Sequence, residues 1–372
     1  MRVLFLTNVP APYRVDFFNE LGKLCDLTVL YELKYALNRD ERWKNNSERF
    51  FNEVNLDGIR IGNESALNFS VLKFLNNKEY DLIVIGGYST PTGMLAIEYL
   101  RLKKIPFVLN CDGGFIKKDS FIKRVIKKHF IKSANYWLST GKIANKYLIH
   151  YGAKKENIFI YSFTSLKKDD IVNDLLKKKE KESIKKELDV KNNKVLLFIG
   201  RFIYGKGIDI LIKATKYLEN DCDVYIIGGK PTVEYNDIIK ENNIKNIFFE
   251  DFKTKEELEK YYKIADIFIF PTREDVWGLV INEAMSYGIP VITTNKCGAG
   301  LELIKNGING FIMEDEDEFE LANKIKYLLR NDEIIQNMRK NNLEKISEYT
   351  IENMAKEHFN IFSKILKDIK NE

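Results

Sequence analysis

The chain has 372 residues, of which 45% are hydrophobic and 30% are charged, and its net charge is +5. These fractions are ordinary for a soluble globular protein, and the length suggests about two domains. The apolar start Val3–Thr7 is too short for a signal peptide core, and no apolar run reaches the roughly 18 residues that a membrane-spanning helix needs.

The four cysteines are scattered, which predicts reduced thiols in the cytoplasm and argues against a disulfide framework or a zinc site. The three histidines lie far apart, so we expect no metal centre and no cofactor. Residues 1–165 carry a net charge of +9 and the remaining residues −4. The basic half therefore either faces an anionic surface or is simply rich in solvated lysines. We expect no nucleic-acid partner.

Short apolar strand candidates recur along the chain, separated by helical patterns such as Arg14–Leu24 and Gly93–Lys103. Such alternation is typical of parallel sheets covered on both faces, and two runs of it predict two doubly wound α/β domains. The first run comprises Val3–Thr7, Leu27–Tyr31, Leu82–Ile85, Phe107–Leu109, Tyr136–Ser139 and Ile158–Tyr161. The second comprises Val195–Ile199, Asp223–Ile227, Ile247–Phe249, Ile267–Phe270, Pro290–Thr293 and Gly310–Met313.

These runs predict a first domain at residues 1–165 and a second at 194–350. Residues 166–193 between them are dominated by Lys, Glu and Asp and are interpreted as a charged surface linker. At the end of the chain, apolar residues at helical spacing from Ile351 to Ile369 predict an amphipathic helix with one buried stripe.

Residues 117–132 combine apolar positions at helical spacing, such as Phe121 and Val125, with a lysine- and arginine-rich opposite face. A basic amphipathic helix is suited to an anionic membrane surface. The alternative is a helix packed into the core, with its lysines solvated.

The second run opens with a strand, the loop Gly200–Gly207 and a helical pattern at Ile208–Leu218. A helix start beside two cations, Arg201 and Lys206, predicts an anion site. The loop fits the P-loop pattern up to Lys206, but Gly207 stands where a P-loop needs Ser or Thr to hold Mg²⁺. The other interpretations are a P-loop hydrolase, which that glycine disfavours, and a strand–helix turn with incidental surface cations.

Two carboxylates, Asp275 and Glu283, lie eight residues apart around a Trp-Gly pair that opens a further helical segment. Gly278 lets the backbone approach a ligand closely. Free N–H groups hold phosphate and carboxylates hold sugar hydroxyls, so the whole constellation predicts a sugar-nucleotide site. Taken singly, Asp275 could be a helix N-cap and Glu283 a solvated helix carboxylate.

These motifs, followed by Ala284-Met285 and by Gly288-x-Pro290-Val291, resemble glycosyltransferase family 4, whose members are retaining enzymes of the GT-B fold. The resemblance covers nearly the whole chain and is densest from 195 to 312. It implies two Rossmann-like domains that face each other across a cleft, with the last helix crossing back to the N-terminal domain.

The resemblance also implies roles in the second domain. The loop of Gly200, Arg201 and Lys206 would bind the donor diphosphate, and Glu283 would hold the ribose hydroxyls. Asp275, together with Glu274, would contact the transferred sugar. The remaining donor contacts would come from backbone groups, namely those of Gly278, Leu279 and Val280 toward sugar and phosphate, and those at Phe252 toward the base.

The first half resembles a branch of this family that makes surface polysaccharides. The matching pieces include Asn8–Arg14, Gly86–Thr92 and Asp112-Gly113-Gly114. They make Pro12, Tyr13, Arg14, Gly87 and Tyr88 candidates for the acceptor side or the first loop. Asp112 is either a residue that positions or deprotonates the acceptor hydroxyl, or part of an Asp-Gly-Gly turn.

No Asp-x-Asp metal motif follows a strand, because Asp221-Cys222-Asp223 precedes its strand. We therefore expect metal-independent transfer, with the cations and a helix dipole stabilising the leaving diphosphate. The family retains anomeric configuration, and no nucleophile stands out here. We therefore expect same-face attack, with the leaving phosphate oxygen accepting the acceptor's proton.

The expected function is transfer of a sugar from a nucleotide diphosphate donor to a glycan hydroxyl in capsule, O-antigen or exopolysaccharide assembly. We expect the donor to be a UDP-sugar. The acceptor would be lipid-linked and the enzyme cytoplasmic, at the inner face of the membrane. The alternatives are a soluble synthase acting on a small acceptor and a non-catalytic nucleotide-sugar-binding protein.

Overall fold

The computed structural model describes residues 1–37, 39–173, 178–192, 194–218 and 222–371. Backbone contacts divide the chain into two compact units. Unit 1 consists of Met1–Ser165 and Tyr349–Glu372, and unit 2 of Leu166–Glu348. Part of the predicted linker, residues 174–177 and 193, lies outside the described residues.

Unit 1 is built on a parallel sheet of seven strands in the order β3-β2-β1-β6-β7-β8-β9. A separate antiparallel pair joins β4 to β5. The strands are β1 Arg2–Thr7, β2 Asp26–Tyr31, β3 Asn52–Asn55, β4 Ile59–Arg60, β5 Ala66–Leu67, β6 Leu82–Ile85, β7 Val108–Cys111, β8 Tyr136–Ser139 and β9 Ile158–Ile160. The helices before the linker are α1 Pro12–Gly22, α2 Pro91–Lys103, α3 Phe121–Lys132 and α4 Lys142–His150.

Unit 2 is built on a second parallel sheet, of six strands in the order β12-β11-β10-β13-β14-β15. The strands are β10 Lys194–Ile199, β11 Cys222–Ile227, β12 Ile247–Glu250, β13 Ile267–Phe270, β14 Val291–Thr294 and β15 Gly310–Met313. The helices are α5 Lys178–Glu187, α6 Ile208–Thr215, α7 Val233–Glu241, α8 Lys255–Ile264, α9 Leu279–Ser286, α10 Gly298–Leu303, α11 Glu318–Leu329 and α12 Asp332–Ile346. A final helix, α13 Ile351–Asn371, belongs to unit 1.

The predicted fold class, with two parallel α/β sheets, is confirmed, and each predicted strand is present with small shifts at its ends. The apolar pattern identified most of them because their side chains are buried on both faces, as in β6 and β13. Strands β9 and β12 are also apolar in sequence, but their side chains are only partly buried. The edge strand β3 was missed because its Asn and Glu side chains are only partly buried and break that pattern.

The strand order places functional loops. In each sheet the first strand lies in the middle, the next strands in sequence are added on one side of it, and the later strands are added on the other side. In unit 2, for example, β10 lies between β11 and β13. Ligands of open α/β sheets bind at the carboxyl ends of the strands at this switch point. In unit 2 the loops after β10 and β13 flank it, and in unit 1 the loops after β1 and β6 do.

Helix α13 packs its apolar stripe against α1 within unit 1. Of the predicted stripe, Ile351, Met354, Ala355 and Phe362 are almost fully buried, whereas Phe359, Leu366 and Ile369 are partly buried. His358 is also buried in this stripe, at ring-centroid distances of 4.6 Å from Phe17 and 4.4 Å from Tyr161.

The described part of the predicted linker is not purely a solvated surface. Helix α5 contacts α8, and Lys181 Nζ lies 2.6 Å from the carboxylate of Asp266, which is largely buried. The segment therefore packs against unit 2.

Helix α3 begins after Ser120, whose hydroxyl accepts a hydrogen bond from the Lys123 N–H, and it exposes most of its apolar side chains. Phe121 is 82% exposed and Ile122 71%, while Ile131 is buried. The alternative of a core-packed helix is therefore wrong for its first two turns. Among the described residues, no helix is long and apolar enough to cross a membrane.

Candidate functional site

The loop after β10 turns sharply at Gly207, which has φ of +67° and precedes α6. A Cβ atom at this position would lie 1.9 Å from the carbonyl oxygen of Pro271, so only glycine fits. The Gly205 carbonyl accepts hydrogen bonds from the Thr272 hydroxyl at 2.8 Å and from the Arg273 N–H at 2.9 Å. The loop that carries Lys206 is thereby held against the segment that follows β13.

Lys206 and Asp275 form an ion pair, with Nζ 2.5 Å from Oδ2. The side chains are 14% and 18% exposed, and the Lys206 ammonium also lies 5.2 Å from the centre of the Phe270 ring. The other oxygen of Asp275 accepts a hydrogen bond from the Trp277 N–H at 3.2 Å. A cation and a carboxylate thus share the switch point of the unit 2 sheet, where the sequence predicted donor contacts.

Helix α9 starts beside this pair, and its N-cap is Gly278, not Asp275. Gly278 has φ of +97°, and a Cβ there would lie 2.9 Å from the Cys297 sulfur. No side chain caps this helix start, so the first N–H groups, including those of Leu279 and Val280, form a positive helix end next to Asp275.

Glu283 lies one turn into α9, and its Oε2 accepts a hydrogen bond of 2.9 Å from the Tyr262 hydroxyl. The Tyr262 ring stacks on Tyr287 with a centroid distance of 5.2 Å. Burial, together with the charge of Glu283, raises the pKa of Tyr262 well above its usual value, so the phenol stays a donor. The carboxylate of Glu283 is therefore held in place rather than merely solvated.

The other predicted donor residues lie on the same edge of the sheet. Gly200 and the exposed Arg201 follow β10, the half-buried Phe252 follows β12, and the exposed Glu274 follows β13. The structure places these residues at the carboxyl ends of β12, β10 and β13, and it brings Lys206 and Gly278 next to Asp275.

Arg273 received no role from the sequence. Its guanidinium donates two hydrogen bonds of 2.7 Å to Asp209, one of 2.8 Å to the Tyr204 carbonyl, and two to Glu316. It also lies over the Tyr204 ring at 3.9 Å. In the sequence, only the position of Arg273 two residues before Asp275 suggested a role near the site. Its partners at positions 204, 209 and 316 are distant in the sequence and could not be identified from it.

In unit 1, Asp112 follows β7 and forms an ion pair with Arg14 of α1. Asp112 also accepts hydrogen bonds from Asn110 at 2.9 Å and from the Tyr161 hydroxyl at 3.3 Å. The Arg14 side chain is 7% exposed; burial disfavours its charge, but Asp112 raises its pKa above the usual value. Arg14 thus binds Asp112, and the interpretation of Asp112 as only a turn residue is too simple.

A pocket of about 280 Å³ in unit 1 contains Tyr13, Arg14, Gly87 and Asp112 in its wall. Pro12 and Tyr88 are not part of this wall. Pro12 is the first residue of α1, and the Tyr88 hydroxyl bonds to that of Tyr147. The wall also contains Ser89 and Thr90 of the matching piece Gly86–Thr92. The structure adds wall residues that the sequence analysis did not single out: Glu32, Arg39, Trp43 and Glu64.

Glu32 is the most unusual of these residues because it is 3% exposed. Burial raises its pKa to about 7, against hydrogen bonds from the Thr90 hydroxyl at 2.6 Å and the Ala66 N–H at 3.4 Å. Its position at the end of β2, inside a parallel sheet, could not be recognised as a pocket wall without the strand order.

Within the ranges described, no three or more His, Cys, Asp or Glu side chains gather as a metal site. Of the Asp221-Cys222-Asp223 sequence, which the sequence analysis rejected as a metal motif, residue 221 lies outside the described residues.

Residues 179–345, which lie in unit 2, match the family "Glycosyl transferases group 1". The chain is 30% identical over 192 residues to an uncharacterized glycosyltransferase, MJ1607, of Methanocaldococcus jannaschii, covering 49% of this chain and about half (48%) of that relative. It is 18% identical over 312 residues, 81% of each chain, to the N,N'-diacetylbacillosaminyl-diphospho-undecaprenol alpha-1,3-N-acetylgalactosaminyltransferase of Campylobacter jejuni.

Among solved structures, Anabaena Alr3699/HepE in complex with UDP superimposes with a TM-score of 0.77 at 17% identity, over 100% of both chains. This likeness establishes the fold as GT-B. The part of the chain that matches the group 1 glycosyl transferases, residues 179–345, carries the Lys206–Asp275 pair and Glu283.

Proposed function

We propose that the protein transfers a sugar from a nucleoside diphosphate donor to a hydroxyl group of a glycan acceptor. The observation that carries this proposal is the cluster at the carboxyl edge of unit 2, where Lys206 and Asp275 meet the uncapped start of α9. A diphosphate needs cations and N–H donors, and sugar hydroxyls need carboxylate acceptors. The UDP named for HepE makes uridine diphosphate the first nucleotide to test.

In this proposal Lys206 and Arg201 neutralise the diphosphate, and Glu283 accepts hydrogen bonds from the ribose. Asp275, with Glu274 beside it, orients the transferred sugar, while backbone groups at Gly278, Leu279 and Val280 complete the donor site and those at Phe252 contact the base. The bond between the anomeric carbon and the phosphate oxygen breaks, and the acceptor oxygen bonds to that carbon from the same face. The leaving phosphate oxygen accepts the acceptor's proton, and the cations and helix end stabilise its charge.

The acceptor side is proposed to lie in the unit 1 pocket, where Asp112 is held by Arg14, Asn110 and Tyr161. Asp112 would orient the attacking hydroxyl. The undecaprenol diphosphate in the name of the Campylobacter relative supports a lipid-linked glycan in cell-surface polysaccharide assembly as the acceptor.

A lipid-linked acceptor fits the exposed face of α3, which we propose as the contact with an anionic membrane surface at the inner face of the membrane. Phe121 and Ile122 would enter the headgroup region, and Lys123, Arg124 and Lys128 would meet its negative charge. Lys127, which the sequence placed on the same basic face, is bound to Asp119 and is only 14% exposed, whereas Lys123, at 3.7 Å from Asp119, is 63% exposed.

The function is tested by donor binding, measured as thermal stabilisation by a panel of sugar nucleotides. A ligand at about 100 times its dissociation constant stabilises the fold by about 2.7 kcal/mol. We expect one sugar nucleotide to do so with the wild-type protein and not with Lys206→Ala or Glu283→Ala. The exposed Lys260→Ala, on α8, is the matched control and should keep the shift.

Turnover with the identified donor then distinguishes the alternatives. Retained configuration in the new linkage, read by NMR, and activity that survives EDTA would support the proposed mechanism. Inverted configuration would contradict it. Transfer only to a small soluble acceptor would favour a synthase, and donor binding without transfer or hydrolysis would favour a non-catalytic binding protein.

A further inference from the structure

Arg273 uses all of its hydrogen-bonding capacity on the protein itself. A guanidinium has five N–H donors, and the five bonds to Asp209, Tyr204 and Glu316 occupy every one. The side chain is 10% exposed, so it lies beneath the surface. The hydrogen bonds that Arg273 donates to Asp209, opposed by burial, raise the pKa of Arg273 above its usual value.

The partners of Arg273 come from three separate segments around the donor site. Asp209 lies in the first turn of α6, Tyr204 in the loop Gly200–Gly207 after β10, and Glu316 in the turn after β15. Glu316 has φ of +65°, a left-handed conformation that is costly for a residue with a side chain and persists only where its surroundings enforce it. The two ionic contacts to Arg273 are part of that enforcement.

The backbone of Arg273 extends the same connection, since its N–H donates to the carbonyl of Gly205, the residue before Lys206. Two residues further along the chain, Asp275 meets the Lys206 ammonium. The Arg273 side chain therefore binds the Tyr204 carbonyl in the loop after β10, and its backbone N–H binds the Gly205 carbonyl in the same loop. Both contacts hold this loop against the segment that follows β13.

We infer that Arg273 is a positioning residue for the donor site, which it serves by holding the Lys206 loop in the conformation that receives the diphosphate. It does not touch the ligand, because its donors are already used. Lysine cannot replace it, since an ammonium offers three donors and no planar fork. The inference rests on the proposed function of this site.

The test is Arg273→Lys, compared with Arg339→Lys as a matched control. Arg339 is an equally buried arginine of unit 2, 11% exposed, that donates to the Ala265 carbonyl at 2.6 Å and lies 3.9 Å from Asp266. Ala265 and Asp266 immediately precede β13, so Arg339 binds at the start of this strand, whereas Arg273 follows its end.

For Arg273→Lys we expect the Kd for UDP and the KM for the sugar nucleotide to rise about tenfold or more, with the acceptor KM unchanged. Asp209→Asn should give the same donor defect, and combining it with Arg273→Lys should add little. Arg339→Lys should lower the Tm while leaving the donor KM within about twofold. If Arg273→Lys does not fold, Asp209→Asn decides the question.

An Arg273→Lys or Asp209→Asn protein with a lowered Tm but a wild-type donor Kd would overturn the inference, because it would reveal a merely structural role. Wild-type protein that binds no nucleoside diphosphate would instead overturn the proposed function, so the two failures are distinguishable.

Discussion

At the scale of single residues, Lys206 and Asp275 neutralise each other's charge within the proposed donor site. The sequence supplied both residues, but in separate roles, with Lys206 toward phosphate and Asp275 toward sugar. Under the proposed function, a diphosphate competes with Asp275 for the Lys206 ammonium, which lies 2.5 Å from the Asp275 carboxylate. Opposite charges at this distance in a partly buried site interact strongly.

Replacing Asp275 by Asn removes the competing charge from Lys206. We expect Asp275→Asn to bind UDP about threefold more tightly than wild type in calorimetry, while kcat/KM for the sugar nucleotide falls about 10- to 100-fold, because a charged hydrogen bond contributes about 1.5–3 kcal/mol. Lys206→Ala should weaken UDP in the same assay. Weaker UDP binding by Asp275→Asn would show that the two groups do not compete.

The glycines of the Lys206 loop differ in what they tolerate. Gly207→Ala places a Cβ against the Pro271 carbonyl in a left-handed conformation, so we expect the free energy of unfolding to fall by about 2 kcal/mol or more and donor affinity to fall with it. Gly205→Ala is the matched control, since nothing lies within 4 Å of its added Cβ. Urea denaturation of the two variants compares them, and equal stability would contradict the assigned geometry.

At the scale of secondary-structure elements, the last helix carries a titratable group where the sequence pattern indicated only an apolar stripe. His358 of α13 lies among the rings of Phe17, Tyr161 and Phe362. Burial lowers the pKa of His358 to about 4, although its hydrogen bond to the Met354 carbonyl acts in the opposite direction. The helical period recognised the stripe, but His358 itself was not counted in it.

The depressed pKa of His358 predicts acid sensitivity of unit 1. In the unfolded chain the His358 imidazole is protonated below about pH 6.5, but in the folded chain only near pH 4. The contribution of His358 to the free energy of unfolding is therefore complete above pH 6.5. As the pH is lowered from 6.5 toward 4, the free energy of unfolding decreases by up to about 1.4 kcal/mol per pH unit. His358→Leu should flatten the dependence of Tm on pH in this window. His150→Gln, an exposed histidine of α4, should leave it unchanged, and equal curves for wild type and His358→Leu would refute the assignment.

At the scale of the whole molecule, charge is divided between the two sequence halves, +9 over residues 1–165 and −4 over the rest. Helix α3 concentrates that excess next to exposed apolar side chains. The exposure of Phe121 and Ile122 supports the proposed contact of the basic half with an anionic surface, because in water these side chains form an exposed apolar patch.

Membrane contact is measured by co-sedimentation with vesicles of phosphatidylglycerol and phosphatidylcholine at low salt. We expect wild-type protein to bind the anionic vesicles, and a Phe121→Ser, Ile122→Ser double variant to lose about tenfold or more in affinity because the apolar side chains no longer enter the headgroup region. Phe69→Ser, which removes an apolar side chain that is 64% exposed elsewhere in unit 1, is the control. Wild-type protein that stays in solution would contradict the proposal.

The sequence by itself determined the local elements: fully apolar runs marked the buried strands, and helical spacing marked α13. The tertiary structure decided which distant groups meet, because strand order and crossover, not local pattern, bring the loops after β10 and β13 together. Hence the sequence supplied Lys206, Asp275 and Glu283, whereas the Lys206–Asp275 pair, the Arg14–Asp112 pair and the five bonds of Arg273 required the fold. Periodicity reports the face of a helix that is apolar, and only packing determines whether that face, as in α3, is covered.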